Sequence, residues 1–342
     1  MLTLQKDKTS TEIVEIHKRS TRSKRAHAVV YYSHNAKEGG NIAPAAGVLA
    51  LHKTSLKKIW KLSNADFNRI CVMIDTDAEP DSGEPLRTEY WELHKVYERA
   101  LRTEMYLGDQ DDLYFEHNLP RNKDTWAGTF LLVGNSGAGK TYWMVQLFLR
   151  YMRAVKPYNR RTLIYISPEW EIDKTLKPLK DKRYALNVIG VDVSEKALRE
   201  SGMDAMSYYK TKVEDVFEKH GEKAIIVYDD FMDAAPGMES LLRKLYIRGL
   251  RTARHKVTSV ISLVHSYASG KNTSQALQSV KFCVFFPRSQ KSRIVTFFRD
   301  HLHMSVPEAK EIVERFSKLD RYMIVRMHSP VCIYNSKFLM LV

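Results

Sequence analysis

The chain has 342 residues, 44% of them hydrophobic, so it can bury a full core and is not a disordered protein. Lys and Arg number 54 against 40 Asp and Glu, a formal net charge of +14 that indicates either a nucleic-acid partner or merely a soluble basic surface. Three scattered cysteines exclude a disulfide framework and a zinc site, and the lack of a signal sequence or an apolar run of ~20 residues predicts a soluble intracellular protein without membrane contact.

The N-terminal third of the chain predicts two regions. Residues 1–25 are polar, and five of the eight residues 18–25 are basic, so we interpret this segment as a flexible basic arm. It would contact nucleic acid or act as a nuclear address; the alternative is a solvated tail. Residues 26–120 mix short strands, at 28–32 and 70–74, with loops rich in Gly, Asp and Pro. In their second half, apolar residues at helical spacing indicate a helix with a buried face. We interpret this region as an N-terminal α+β domain or an elaboration packed on the domain that follows.

Residues 121–342 alternate strands with helices, which predicts an α/β domain with a mainly parallel central sheet and helices on both faces. The expected strands are rich in β-branched and aromatic residues and lie at 129–133, 162–166, 224–228, 257–263 and 282–286. Beyond them, Ser305 and Glu308 have capping-box spacing, which predicts a C-terminal helix. Residues 321–327 and 331–335 predict a closing hairpin.

A glycine-rich loop joins the first strand of this domain to a helix. It matches Gly-x-x-x-x-Gly-Lys-Thr with the residues Gly134, Asn135, Ser136, Gly137, Ala138, Gly139, Lys140 and Thr141, followed by Tyr142. Such a loop turns backbone N–H groups and a helix N-terminus toward phosphate oxygens. We expect Lys140 to reach the β- and γ-phosphates of ATP and Thr141 to ligate Mg²⁺. The sequence therefore predicts a P-loop NTPase of the ASCE or RecA-like class.

Two carboxylates, Asp229 and Asp230, directly follow the apolar strand at 224–228, which is the form of a Walker B motif. Asp229 is expected to hold Mg²⁺, and Asp230 is placed to polarise the attacking water. We therefore expect ATP hydrolysis rather than transfer to a bound hydroxyl. The alternative is an ordinary polar turn after a buried strand.

His265 follows the strand at 257–263, where a side chain would lie beside the γ-phosphate at the carboxyl edge of the sheet. In this sensor position it would report phosphate loss or orient water. The alternative is a surface histidine at a strand end.

The segment 243–256 contains basic but no acidic residues. We interpret Arg251 or Arg254 as an arginine finger that reaches the ATP of a neighbouring subunit, with other members lining a DNA channel; the alternative is a solvated basic face. Basic residues that could extend this surface are Arg150, Arg153, Arg160, Arg161, Arg288, Lys291 and Arg293. No sequence-reading motif accompanies them, so we expect non-specific contact with the backbone of double-stranded DNA.

Over about residues 126–300 the chain resembles the genome-packaging ATPases of poxviruses, other large DNA viruses and virophages, within the FtsK/HerA superfamily. The likeness rests on the glycine loop with its strand, on the Asp229-Asp230 pair, and on the basic stretch that leads through Arg254 to His265, where the family usually has glutamine. It implies a homo-oligomeric ring, pentameric or hexameric, that uses ATP and Mg²⁺ to package double-stranded DNA into a preformed capsid. It also implies a portal or vertex protein as partner, and a location at sites of virion assembly in the host cytoplasm or nucleus, or in the virion.

Other functions stay open. A replicative helicase or initiator ATPase is also basic and contains a P-loop, and origin-specific binding or strand unwinding would select it. A nucleotide-switched assembly factor would be expected to carry a membrane span. Nucleoside kinases usually carry a lid and a substrate-binding module instead of a second Walker B carboxylate with a downstream sensor strand.

Overall fold

The computed structural model describes residues 2–3, 11–18, 28–32, 62–76, 78–81, 83, 85–107, 113–121, 127–181, 187–266 and 276–342. The chain divides into two compact units. The first comprises Met1–Glu116, Glu311–Asp320 and Pro330–Val342, and the second comprises His117–Lys310 and Arg321–Ser329. The sequence analysis differs in placing all of residues 121–342 in one domain, whereas two C-terminal segments are grouped with the first unit.

Among its described residues, the first unit contains two groups of antiparallel strands, two complete helices and the C-terminal part of a third helix, which is described below. One group has the order β1-β3-β2-β5, with β1 (Leu2–Thr3), β2 (Thr11–Lys18), β3 (Ala28–Tyr32) and β5 (Leu113–Glu116). The other has the order β4-β14-β13, with β4 (Glu104–Tyr106), β14 (Phe338–Leu341) and β13 (Cys332–Tyr334). The complete helices are α1 (Asn64–Asp75) and α2 (Arg87–Thr103).

Two of these strands lie within the segment interpreted as a flexible basic arm. Strand β2 buries Ile13, Val14 and Ile16, so this part of the segment belongs to a hydrophobic core and is not a solvated tail. The basic residues 19–25 lie outside the described residues.

The strand predicted at 70–74 is wrong, because these residues belong to helix α1. The helix begins after Ser63, whose hydroxyl oxygen accepts a hydrogen bond from the Asp66 N–H. Its buried residues are Phe67, Ile70, Cys71 and Ile74, which have the i, i+3, i+4, i+7 spacing of one helix face. The short apolar run at 70–74 hid this longer period. The helix predicted farther on is confirmed as α2, with Tyr90 and Leu93 buried.

The second unit is built on a mostly parallel sheet, which confirms the predicted fold class. Within the described residues its strand order is β12-β11-β6-β10-β9-β7-β8. The strands are β6 (Thr129–Val133), β7 (Leu163–Ser167), β8 (Val188–Asp192), β9 (Ile225–Asp229), β10 (Ser259–Val264), β11 (Phe282–Phe285) and β12 (Met323–Arg326). All neighbours pair in parallel except β12, which is antiparallel to β11. Strand β6 lies in the interior of the sheet and is buried throughout.

Strand β8 is a parallel strand that is absent from the five strands expected from the sequence. The strand is short and mostly half-buried, and Gly190 interrupts its apolar run. The structure explains this glycine, because a Cβ atom there would lie 1.7 Å from the indole of Trp170.

Helices connect the strands of this unit. They are α3 (Lys140–Ala154), α4 (Glu195–Ser201), α5 (Ala205–Tyr208), α6 (Asp215–His220), α7 (Met238–Lys256) and α8 (Pro287–Leu302), with a π-helical turn at Tyr209–Glu214. Helix α9 (Val306–Leu319) begins at the predicted capping box, where the Glu308 N–H donates to the Ser305 hydroxyl oxygen at 3.4 Å. Among the described residues, no helix combines the length and apolar character needed to cross a bilayer.

The parallel register brings the loops that follow four strands to one edge of the sheet. Val133 is aligned with both Val264 and Phe285, and Leu263 is aligned with Asp229. We call this the carboxyl edge and the opposite one, where these strands begin, the amino edge. In open parallel sheets ligands bind at the carboxyl edge.

The amino edge is held together by Arg161, which is only 3% exposed. Its guanidinium donates to the Lys223 and Ala224 carbonyls at 2.7 and 2.6 Å, and to the Val257 carbonyl at 3.3 Å. It also donates to the Ser259 hydroxyl oxygen at 3.0 Å. Two of these acceptors, Lys223 and Val257, have left-handed backbones with φ of 58° and 53°. Arg161 is therefore a buried structural clamp, which corrects the prediction that it extends a DNA-contacting surface.

Candidate nucleotide-binding site

The glycine loop leaves β6 at the carboxyl edge and enters helix α3. Gly137 and Gly139 have φ of 72° and 104°, the left-handed region in which glycine is favoured, and Gly139 is the N-cap of α3. At Gly134 a Cβ atom would lie 3.0 Å from both Ala138 and the Phe286 ring, so the loop also needs glycine for close packing. The predicted residues 134–141 thus form a loop whose geometry suits a bound phosphate chain. Tyr142 follows with 61% of its surface exposed.

Lys140 is buried, with 5% exposure, and its ammonium group turns back onto its own loop. Nζ donates to the Gly134 carbonyl at 2.9 Å and to the Asn135 carbonyl at 3.5 Å. These two carbonyls hold the cation where the loop curves. A bound phosphate would offer charged oxygens in place of these neutral acceptors.

Asp229 ends β9 and is 5% exposed. The buried Tyr165 hydroxyl, on β7, donates to Oδ2, whereas Oδ1 is buried and has no hydrogen-bond partner among the described residues. Burial raises the pKa of Asp229 to about 7; the Tyr165 hydrogen bond and Lys140 act in the opposite direction, and Asp230 adds to the rise. A carboxylate in this environment needs a compensating cation.

The donor set fits Mg²⁺. The unpartnered Asp229 oxygen and the hydroxyl of Thr141, in the first turn of α3, are hard oxygen ligands of the kind that Mg²⁺ prefers. In the described parts of the chain, this site included, no three His, Cys, Asp or Glu side chains come together as a metal cluster. Few protein ligands are expected for Mg²⁺, which usually keeps water and substrate phosphates in its shell.

Asp230 and His265 meet at the carboxyl edge, as the sequence analysis predicts for the second carboxylate and the sensor position. His265 Nε2 lies 3.3 Å from Asp230 Oδ2, and the side chains are 45% and 26% exposed. Asp230 is held in the left-handed region, with φ 43° and ψ 37°, which strains the backbone of a non-glycine residue. Its Oδ1 has no hydrogen-bond partner within the described residues. Burial raises the pKa of Asp230, although Lys140 and His265 act to lower it.

Tyr165 and Gln290 are site residues that sequence reasoning missed. Tyr165 sits on the strand next to the Walker B strand, and Gln290 contacts both the glycine loop and the His265 backbone. A signal for Gln290 was present, because the predicted strand at 282–286 places the residues that follow it at the carboxyl edge. The neighbouring basic residues Arg288 and Lys291 favour the interpretation of this segment as a charged surface.

Arg251 and Arg254 are not near the glycine loop of their own chain. Both are exposed on the last turns of α7, and β10 begins at Ser259 directly after this helix, so they lie at the amino edge. A strand of five or six residues separates this edge from the P-loop by roughly 15–20 Å. A role at the ATP of the same chain is therefore excluded, and a role at a neighbouring subunit's ATP stays a proposal.

The family model described as Poxvirus A32 protein matches residues 124–299, just over half of the 342 residues. No curated protein matches. Among solved structures, the genome packaging NTPase B204 from Sulfolobus turreted icosahedral virus 2, in complex with AMPPCP, is 15% identical with a TM-score of 0.38, covering 63% of this chain and 98% of B204.

Two further solved structures are similarly remote. B204 from Sulfolobus turreted icosahedral virus, described as a DNA-packaging ATPase, is 11% identical with a TM-score of 0.37, covering 61% of this chain and 97% of that one. The pCW3 conjugation coupling protein TcpA, with ATPγS, is 13% identical with a TM-score of 0.36, covering 68% and 65%. The family match spans the glycine loop, the Asp229-Asp230 pair and strand β10, and by this match the chain belongs to the Poxvirus A32 protein family.

Proposed function

We propose that this chain is a Mg²⁺-dependent ATPase that drives double-stranded DNA during packaging of a viral genome. The observation that carries the proposal is the convergence of Lys140, Asp229 and Asp230 at one sheet edge, with a buried Asp229 oxygen that has no partner among the described residues. Membership of the Poxvirus A32 family supports the same activity.

ATP binding would use the loop from Gly134 to Thr141. The backbone N–H groups at the start of α3 would bind phosphate oxygens, helped by the positive end of the helix dipole. Lys140 Nζ would exchange the Gly134 carbonyl for the β- and γ-phosphates. Tyr142, exposed in the first turn of α3, would lie at the rim of the same site.

Asp229 and Thr141 would hold Mg²⁺. The ion, when bound, neutralises charge that develops on the phosphate oxygens. Tyr165 fixes Asp229 by donating to Oδ2, which leaves Oδ1 for the ion. Binding of a cation also favours the ionised carboxylate, whose pKa burial has raised to about 7.

Hydrolysis would depend on Asp230 as the group that accepts a proton from water. Oδ2 faces His265 Nε2, which leaves Oδ1 to face the reacting water. His265 would hold the carboxylate in orientation and respond to loss of the γ-phosphate. General-base catalysis of this kind contributes about 10²–10⁴-fold to the rate.

The partners follow from the same proposal. Net charge of +14 suits backbone contact with double-stranded DNA, and Arg251 or Arg254, at the amino edge, would serve a neighbouring subunit in a pentameric or hexameric ring. A capsid portal or vertex protein would receive the DNA. The protein would act at sites of virion assembly in the host cytoplasm or nucleus, or within the virion.

The test is ATP turnover with and without double-stranded DNA. We expect DNA to stimulate turnover, and Asp230→Asn to lower kcat by about 10²-fold or more while nucleotide still binds. The matched control is Asp233→Asn, an exposed carboxylate three residues on. Turnover that ignores DNA, or Asp230→Asn turnover equal to the control, would contradict the proposal.

A further inference from the structure

Gln290 bridges two segments of the candidate site. Its side-chain Nε2 donates both to Asn135 Oδ1, in the glycine loop, and to the His265 backbone carbonyl at 2.7 Å. The residue is only 6% exposed. One amide group therefore contacts the phosphate-binding loop and the end of the sensor strand at the same time.

The first turn of helix α8 is built around these contacts. Asn135 Nδ2 donates to the Ser289 carbonyl at 3.1 Å, so the Asn135 amide binds two successive residues of this turn through its two polar atoms. Gln290 itself has φ −146° and ψ 39°, which is not helical and kinks the start of α8. The kink and the paired bonds fix the turn against the glycine loop.

The contacts continue from His265 to the second Walker B carboxylate. Gln290 holds the His265 carbonyl, and the imidazole of the same residue lies 3.3 Å from Asp230. Asn135, Gln290, His265 and Asp230 thus form one chain of contacts from the glycine loop to Asp230. Its members come from four separate elements of the carboxyl edge, so the chain exists only in the folded sheet.

We propose that Gln290 is a positioning residue, which couples the state of the glycine loop to the orientation of His265 and Asp230. This inference rests on the proposed function for its effect on turnover. Nucleotide entering the loop displaces Lys140 from the Gly134 and Asn135 carbonyls, and the Asn135 side chain transmits the change to Gln290. Gln290 then adjusts the backbone at His265, which carries the imidazole facing Asp230.

The other polar atom of Gln290 supports an active role. Oε1 is buried and has no hydrogen-bond partner within the described residues. A buried acceptor without a donor is costly, so it is rare unless a ligand or water completes it. A purely structural glutamine would be expected to satisfy both ends of its amide. A hydrogen-bond donor that enters the site with the nucleotide would satisfy Gln290 Oε1. A water molecule is the smallest such donor.

The experiment compares Gln290→Met, which keeps length and removes both polar atoms, with Gln278→Met, an exposed glutamine outside these contacts. In steady-state ATP hydrolysis we expect kcat of Gln290→Met to fall about 10–100-fold with KM within about twofold, the pattern of a lost positioning effect. Gln278→Met should match the wild type. An unchanged kcat, or a rise in KM alone, would overturn the inference.

A double-mutant cycle with His265→Ala tests the chain of contacts itself. If the two residues act as one unit, the double variant is no slower than the slower single variant. Fully multiplicative losses would show that Gln290 acts independently of His265. Gln290→Asn, which keeps an amide but shortens the side chain, should recover part of the rate if the amide matters.

A readout without turnover separates this inference from the proposed function. Hydrogen exchange at residues 289–294 is compared in ADP and in a non-hydrolysable ATP analogue. We expect the wild type to show stronger protection with the analogue and Gln290→Met to lose this difference. Suppose that Gln290→Met loses the difference in protection between ADP and the analogue, but that DNA does not stimulate turnover of the wild type. The proposed function then fails and the coupling stands. If the difference persists in Gln290→Met, the coupling is wrong even where turnover is DNA-stimulated.

Discussion

Two buried cations, Arg161 and Lys140, lie at opposite edges of the parallel sheet in the second unit, and they are held in different ways. Arg161, at the amino edge, donates to three carbonyls and a hydroxyl, in addition to its packing. Lys140, at the carboxyl edge, donates to two carbonyls of its own loop. Asp229 and Asp230 lie near Lys140. Each of these two carboxylates has one buried oxygen with no hydrogen-bond partner among the described residues.

The contrast teaches how to separate structural from functional buried charge in this protein. At the amino edge the cation satisfies backbone groups, including those of two left-handed residues, so its bonds stabilise the fold. At the carboxyl edge the polar groups are incompletely paired and their pKa values are raised, so they are available to a ligand. Substitution of the two cations should therefore give opposite results.

The largest effect is expected at Lys140. Lys140→Met removes the charge that would meet the β- and γ-phosphates, and we expect kcat/KM for ATP to fall roughly 10³-fold, about 4 kcal/mol of transition-state stabilisation. Stability should change little, because the lost bonds lie within one loop. Steady-state kinetics and chemical denaturation measure the two quantities, with exposed Lys156→Met as the control. A large loss of stability with modest loss of activity would break the comparison.

Arg161→Met should give the reverse. The substitution leaves the Lys223 and Val257 carbonyls without this donor, and we expect the free energy of unfolding to fall by about 3 kcal/mol. At a temperature where the variant is folded, turnover should stay within about threefold of the wild type. The exposed Arg153→Met is the control and should change stability by less than about 0.5 kcal/mol. Normal stability in Arg161→Met would remove the clamp from the comparison.

A pH effect is expected from His117, which packs on the Phe130 and Phe282 rings where their strands begin. Burial, with Arg150 and Arg326 adding to it, lowers the pKa of His117 from 6.5 to about 3. Below pH 6.5 His117 binds a proton in the unfolded chain but stays neutral in the folded chain. The free energy of unfolding therefore falls as the pH falls toward 3. At pH 5 this group costs about 2 kcal/mol relative to pH 7.5.

Denaturant titrations at pH 7.5 and 5 check this effect. His117→Leu should lose about 2 kcal/mol less than the wild type between the two pH values, whatever its stability at pH 7.5. The exposed His220→Asn should behave like the wild type. If His117→Leu loses as much stability as the wild type between pH 7.5 and 5, groups other than His117 cause the loss of stability in acid.

The smallest change in stability is expected from substitutions at left-handed residues. Val257→Gly relieves a β-branched residue at φ 53°, and after the loss of some half-buried surface we expect a gain of about 0.5–1 kcal/mol with unchanged turnover. Asp230→Gly relieves similar strain at φ 43° but should abolish turnover. Thermal unfolding with ATPase assays measures both variants. Loss of turnover in Val257→Gly would mean that strain serves activity at both edges.

Much of the second unit and its site was predictable, because local signals agreed with the fold. Each signal of the site is local in sequence: a strand followed directly by the glycine loop, by Asp229 or by His265. The parallel register of these strands then brings the three signals together at one edge. The strand prediction at 70–74 is wrong because a run of five apolar residues fits the period of a strand and that of a helix equally well. Only Ser63 and Phe67, upstream of the run, distinguish a helix.

The remaining misses are contacts between residues far apart in sequence. Arg161 reads like any surface arginine, since its partners lie at least 60 residues away along the chain. Gln290 is likewise 155 residues from Asn135. No local pattern encodes such a bond, whereas the pairing of strands determines it.

Helix α7 connects the two edges of the sheet. It begins at Met238, shortly after the Walker B turn, and ends at Lys256 at the amino edge, so its 19 residues span about 28 Å. Left-handed residues flank it on both sides, Gly237 at φ 86° and Val257 at φ 53°. Since the helix is about 28 Å long, a tilt of ~5° at its first turn would move its last turns, which carry Arg251 and Arg254, by ~2 Å.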